Sequence, residues 1–373
     1  MNDSPARDRL ETEGLDPDEV LVERRHARDE QNYRDWCESS YGMIAIGQEE
    51  IHPADILDKC APDAARRGRA DALVQVRTDL EQEVCDAFPA PIAVPFHAFL
   101  EGPRSAQTRL LRLRDTWEST VRLLAALSLS EAAISPTSFS PLAIREGKDQ
   151  AWRPCKRRDF VSDKLSVRIG LTEGVLHRAG EIRASLQMST LLPVDVLGEI
   201  RRLNVVRNGF SHEAAKSEAQ ARVIVDEVYP VLRDVLLDLR DLQEIKLIRL
   251  HNVQPGGVAE IEELNGHAQS RRIREIELDP GAAAVAMSAA AVDGMHRVLA
   301  RFSGMTLDLG PFFYAADDDT GHRTRVLSFK SKDADDWHLE CVADSTTKKS
   351  SAMHHEALLA RLEALLGQLG QGT

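Results

Sequence analysis

Aromatic side chains supply only 5% of this 373-residue chain. So few rings exclude a large aromatic β-sandwich interior and leave Leu, Val, Ile and Ala to build the core, which favours helix packing over most of the length. Long apolar runs are also missing. The longest small-apolar stretch, Gly281 to Val292, is Ala-rich and too short to span a bilayer, so no membrane partner is expected. The five cysteines (Cys37, Cys60, Cys85, Cys155 and Cys341) never approach a C-x-x-C spacing, which excludes a disulfide framework and suits reduced thiols. The first residues, Met1-Asn2-Asp3-Ser4-Pro5, are polar, without the apolar core of a signal peptide, and a cytoplasmic location is expected. Excess positive charge is absent as well: 47 basic against 60 acidic residues leave a formal charge of -13. That balance argues against broad coating of nucleic acid, so any RNA must be steered by local clusters. Three are present: Lys156-Arg157-Arg158, Arg201-Arg202 with Arg207, and Arg271-Arg272-Arg274.

The familiar catalytic signatures are missing too. No H-E-x-x-H or G-x-S-x-G occurs, and Gly147-Lys148 lacks the flanking glycine of a phosphate loop. His354-His355 stands without Cys or carboxylate at ligand spacing, and Asp317-Asp318-Asp319 lacks the spaced ligands and terminal Glu of an EF-hand. Neither a metal nor another cofactor is expected.

What remains is an ordinary globular composition, 43% hydrophobic and 29% charged. Residues 1–94 read as a polar, partly helical arm: 1–45 are mobile or loosely helical, 50–86 are helical, and the proline-rich turn Phe88 to Pro95 marks a boundary. Residues 95–245 read as an antiparallel bundle of four amphipathic helices. The first, about Ser105 to Ser130, spaces Leu110, Leu113, Trp117, Val121 and Leu124 along one side. Arg109, Arg112 and Arg114 form its solvated face, and Trp117, like Trp337, anchors a core. The second, about Asp159 to Leu186, is weakened by Gly170, Gly174 and Gly180, each by about 1 kcal/mol relative to alanine. The third runs from Pro193 to Val206. The fourth opens on Ser217-Glu218-Ala219-Gln220, a capping box, and should bend at Pro230. Residues 246–345 read as a small α+β domain, with strands near 247–250, 272–278, 324–329 and 337–342 and a hairpin turn at Asp317 to Gly321. A short amphipathic helix in 346–373 closes the chain.

The chemistry-bearing stretch is Arg207-Asn208-Gly209-Phe210-Ser211-His212. On an unbroken helix Arg207 and His212 would point about 140° apart. Asn208-Gly209 tolerates the left-handed conformation that ends helices, so a break there would let the two side chains converge between the third and fourth helices. Arginine offers a fixed fork of donors to a phosphate, and histidine titrates near working pH as an acid or base. A plainer reading of the same residues has Arg207 cap the last carbonyls of the third helix, with His212 in a surface turn.

The motif, its polar residue directly after the arginine, and its place before a long last helix resemble the HEPN superfamily over about 150 residues. The resemblance implies a metal-independent endoribonuclease. The RNA's own 2′-hydroxyl would attack phosphorus, with Arg207 and His212 catalytic and Asn208 orienting His212 or binding phosphate. It also implies a homodimer completing a composite cleft, an RNA substrate, a toxin or anti-phage setting, and an antitoxin or defence-system partner. Arg201, Arg202, Lys156, Arg157 and Arg158 are the weaker RNA-binding candidates. A non-catalytic dimerisation or nucleotide-sensing scaffold and an RNA-binding regulator are the rival readings.

Overall fold

Asp16 starts the first helix by accepting the amide of Asp18 at 3.0 Å, and Pro17 opens helix α1 (Pro17–Tyr41), whose first turn has no use for the missing N–H. The structure is a computed structural model that describes residues 16–46, 49–102, 105–145, 151–193, 195–211, 217–254, 257–268, 273–278, 280–288, 295–318, 320–333, 336–349 and 352–369. Three arginines of α1 tie it down. Arg24 reaches Asp195 at 2.7 Å, and Arg25 and Arg28 reach the fully buried carboxylate of Asp238 at 2.6 and 2.5 Å. Residues 17–41 are therefore a regular anchored helix rather than a mobile arm, because their scattered arginines find buried acids elsewhere in the chain. The hairpin β1 (Ile44–Ile46) and β2 (Glu49–Ile51) leads to α2 (Pro53–Cys60) and α3 (Pro62–Asp86). The proline-rich stretch then forms α4 (Ala90–Leu100), which has Pro95 inside it and buries Ile92, Phe96 and Phe99 completely. A helix buried along nearly all of its length carries no clear amphipathic period, which is why its prolines read as a boundary.

α5 (Ala106–Ile134) is the axis of the helical part, with both faces buried from Thr116 to Ala133. It is followed by the hairpin β3 (Ala143–Arg145) and β4 (Trp152–Pro154), then α6 (Arg157–Phe160), α7 (Leu165–Glu181), α8 (Met188–Leu191), α9 (Val196–Ser211) and α10 (Glu218–Asp238). α5 packs on α7 and α10, and α9 packs on the same two helices. The glycines of α7 have a packing reason: a Cβ at Gly170 or Gly174 would lie 2.6 Å from the carbonyl oxygen of Arg145 or 2.0 Å from that of Ala143. They let β3 lie directly against the helix. The capping box opens α10 as expected: the Gln220 amide donates to Ser217 Oγ at 3.2 Å, and the Ser217 amide donates to Gln220 Oε1 at 3.0 Å.

A 3-10 turn (Arg240–Glu244) leads into β5 (Lys246–Val253), β6 (Val258–Glu263), β7 (Ile273–Glu277), α11 (Pro280–Ser288), β8 (Met295–Phe302), β9 (Met305–Asp308), β10 (Phe313–Asp317), β11 (Thr324–Asp333), β12 (Asp336–Cys341), β13 (Thr347–Lys349) and α12 (Ala352–Gln368). These strands form a nine-stranded sheet in the order β13-β12-β11-β10-β8-β5-β6-β7, with β9 beside β8, and every pair is antiparallel. The expected hairpin is present, with Asp317 opposite Thr324. One face of the sheet packs Ile248, Leu250, Ile261 and Leu299 on Ala282 and Ala286 of α11. The other face carries Leu247, Val298 and Ala300 into a core shared with the helices, which runs from Leu21 to Leu369. The chain is mainly helical with a C-terminal antiparallel sheet. That sheet is far larger than the four strands expected.

Candidate functional site

α9 does not break at Asn208-Gly209; it continues to Ser211. One glycine costs a helix about 1 kcal/mol relative to alanine. Buried Ile200 and Leu203 on the same helix each return more than that. Arg207 and Asn208 therefore sit on the last turns of a continuous helix. His212 lies outside the described residues, as do Arg271 and Arg272.

Arg207 is half-buried. Its Nε donates to Glu118 Oε1 on α5 at 3.0 Å, one terminal nitrogen donates to the same oxygen, and the other donates to Asn208 Oδ1 at 3.1 Å. Three of its five N–H groups are thus engaged within the protein. Glu118 also accepts from Arg122 at 3.1 Å, and Arg122 reaches Glu340 of β12 at 2.6 Å and Ser328 Oγ of β11 at 3.2 Å. Lys330 closes the line on Glu340 at 2.7 Å. The result is a row of alternating charge, Arg207, Glu118, Arg122, Glu340 and Lys330, stitched between helices and sheet. Burial pushes the Glu340 carboxyl upward, but the charges and hydrogen bonds of Arg122 and Lys330 outweigh it and hold the group below the ordinary carboxylate range.

The other basic candidates are divided. Arg201 forks onto Glu173, and Arg202 reaches Glu199 at 2.6 Å and Asp18 at 2.7 Å. Arg157 pairs with Glu363, and Arg274 pairs with Glu263. Lys156 and Arg158 are exposed beside Asp159, whose carboxylate takes the Lys156 amide at 2.7 Å and the Arg153 fork at 2.8 and 2.9 Å. The arginines of early α5 are not a solvated face. Arg112 donates to the Ala343 carbonyl, Arg114 pairs with Asp115 at 3.0 Å, and Arg109 lies over the Phe99 ring. Asp317 binds the buried Arg249 at 2.5 Å instead of shaping a metal loop. Trp117 and Trp337 are buried, the latter against Phe329. The side chains of His354 and His355 lie outside the described part of α12. All five cysteines are unpaired. Among the described residues, no group of three or more His, Cys, Asp or Glu side chains is placed to hold a metal, and no helix is long and apolar enough to cross a membrane.

Sequence reasoning missed Glu118, Arg122 and Glu340. A signal existed: Glu118 and Arg122 stand four apart on a helix whose neighbours are apolar on both faces, the mark of a buried ion pair. Arg168 was missed as well. Burial foremost, and then the charge of Arg122, lowers its pKa to about 9; its guanidinium donates to the Phe160 carbonyl at 3.1 Å and lies between the rings of Phe312 and Phe329.

No family model, curated protein or solved structure matches the chain.

Proposed function

We propose that the chain is a metal-independent endoribonuclease of the HEPN kind, working as a homodimer. The observation that carries this reading is the Arg207-Asn208 pair on the last described turn of α9, joined by its own hydrogen bond, with His212 five residues after Arg207 in the sequence. The closed circuit in which α5 and α9 each pack on α7 and α10 supports the bundle that the resemblance implies. In this reading the 2′-hydroxyl of RNA loses its proton and attacks phosphorus. The bond to the 5′ oxygen breaks and that oxygen takes up a proton, leaving a cyclic phosphate and a 5′-hydroxyl. His212 moves one of these protons, worth about 10²- to 10⁴-fold in rate. Arg207 turns its remaining N–H groups to the charge building on the phosphate, while Glu118 fixes the guanidinium plane. The test is RNA incubated in EDTA with the wild type, Arg207→Ala and His212→Ala. Cuts ending in cyclic phosphate that vanish in both variants support the proposal; equal cutting by a variant overturns it.

One observation favours a second reading, a non-catalytic scaffold. Arg207 already serves the charge row that ties α5 to β12. Under that reading RNA stays intact, and Arg207→Ala lowers only the unfolding midpoint.

A further inference from the structure

A cleft of about 550 Å³ opens where α4 meets the sheet, well inside the range of small-molecule sites. Its wall toward α4 is made by Val94, His97 and Ala98; His267 and Ala268 enter from the segment after β6, and His322 and Arg323 from the end of the β10–β11 hairpin. Three imidazoles and a guanidinium line it, and no carboxylate does. Asp86 stands behind this lining, its Oδ1 3.7 Å from His267 Nδ1, and Arg323 supplies the fixed positive charge of the lining.

The site is built in advance. Asn265 donates to the carbonyls of Ala87 and Ile245 at 2.8 and 2.7 Å and accepts the Leu247 amide at 2.9 Å. Gly266 follows with φ +75°, and a Cβ there would lie 2.7 Å from the Asp86 carbonyl oxygen, so the chain can fold onto the end of α3 only with glycine. His267 is then fixed twice on the Cys85 carbonyl, through its amide at 2.7 Å and through Nδ1 at 2.9 Å. A carbonyl only accepts, so Nδ1 carries the proton and Nε2 is left for a ligand. The His267 ring stacks on His97 with centroids 3.8 Å apart and planes 7° from parallel. Burial foremost, then the neighbouring His267, lowers the pKa of His97 against the opposing charges of Glu101 and Asp86. The stack and its burial thus disfavour the charged form of His97.

The hairpin side is built differently. The carboxylate of Asp318 turns away from the cleft side chains: its oxygen accepts the amides of Thr320, His322 and Arg323 at 3.2, 3.1 and 3.2 Å. It shapes the turn and leaves the two side chains exposed at the cleft. Among the described residues Arg323 has no carboxylate partner.

We infer that this cleft binds a nucleotide-sized phosphomonoester, the phosphate on Arg323 and His322 and the base against the imidazole stack and the apolar wall of Val94 and Ala98. A guanidinium fork matches phosphate, and a flat aromatic surface takes any base by stacking. The inference does not depend on Arg207 or on RNA cleavage.

The test is calorimetric titration of the full chain with adenosine 5′-monophosphate, adenosine and inorganic phosphate. The monophosphate should bind at least about tenfold more tightly than either fragment, since each supplies only part of the contact. Arg323→Gln and His322→Gln should each weaken it by about fivefold or more, with unchanged melting temperature because both side chains are exposed. Adenosine binding as well as the monophosphate would overturn the phosphate assignment. Phosphate binding equally well would overturn the base platform, and unchanged affinity in Arg323→Gln would overturn the site.

Discussion

Two places where helices meet the sheet treat positive charge in opposite ways. In the seam between α5 and β12 each cation faces an acid: Arg207 and Arg122 share Glu118, and Arg122 and Lys330 share Glu340. In the cleft beside α4, Arg323 has no carboxylate partner among the described residues, Asp86 stands 3.7 Å from the inner His267, and the carboxylate of Asp318 in the hairpin is taken up by backbone amides. Matched charges satisfy one another and act as internal structure. An unmatched one such as Arg323 keeps its donors for something that arrives from outside. The same residue types thus separate into stitches and receptors, and the acid opposite decides which.

The strongest way to break the comparison is Arg122→Ala. It leaves Glu118 and Glu340 buried with part of their countercharge gone, and removing one partner of a buried pair costs about 3–5 kcal/mol. A urea unfolding curve showing a loss under about 1 kcal/mol would mean that the seam is not structural. Next is Asn265→Ala, which strands two carbonyls and one amide near the cleft floor and should cost about 2–3 kcal/mol. It should also abolish the His97–His267 stack, read as a changed imidazole proton spectrum. Unperturbed rings in that variant would show that something other than Asn265 positions His267.

Acid sharpens the contrast. A carboxyl held below its ordinary range contributes stability that is present above its unfolded pKa and lost as pH falls through the lower folded value. Glu340 is such a group, so wild-type urea midpoints should fall on acidification below the ordinary carboxylate range, and Glu340→Gln should flatten that limb. Glu131 has the opposite sign. Burial raises its pKa more than the amides of Met188 and Gln187 lower it, so its contribution fades as pH rises from the unfolded toward the raised value. A midpoint that ignores pH in both wild type and Glu340→Gln would remove Glu340 from the seam.

Local chemistry was readable and long-range chemistry was not. The capping box at Ser217, the hairpin at Asp317 and the apolar rhythm of α10 are near-neighbour patterns, and each appears where its spacing placed it. β8 escaped because His296 and Arg297 interrupt its apolar run, and β6 because Glu260 and Glu262 lie on the face turned toward the helices. Glu118 lies 89 residues from Arg207, and only the fold brings them together. His97, His267 and His322 come from three separate elements, so no spacing could announce their cleft. The break assumed at Gly209 failed for a related reason: glycine lowers helix propensity, but tertiary packing decides whether the helix stops.

The smallest expected effect is the most diagnostic. Arg323→Gln deletes a full positive charge, as Arg122→Ala does, yet it should move the unfolding free energy by no more than about 0.5 kcal/mol, because an exposed side chain with no carboxylate partner among the described residues holds little together. Measured with Arg122→Ala under one set of conditions, the two values test the division between stitch and receptor directly. If Arg323→Gln instead cost about as much as Arg122→Ala, Arg323 would have an internal partner, and the cleft would be one more seam of the fold rather than a place for a ligand.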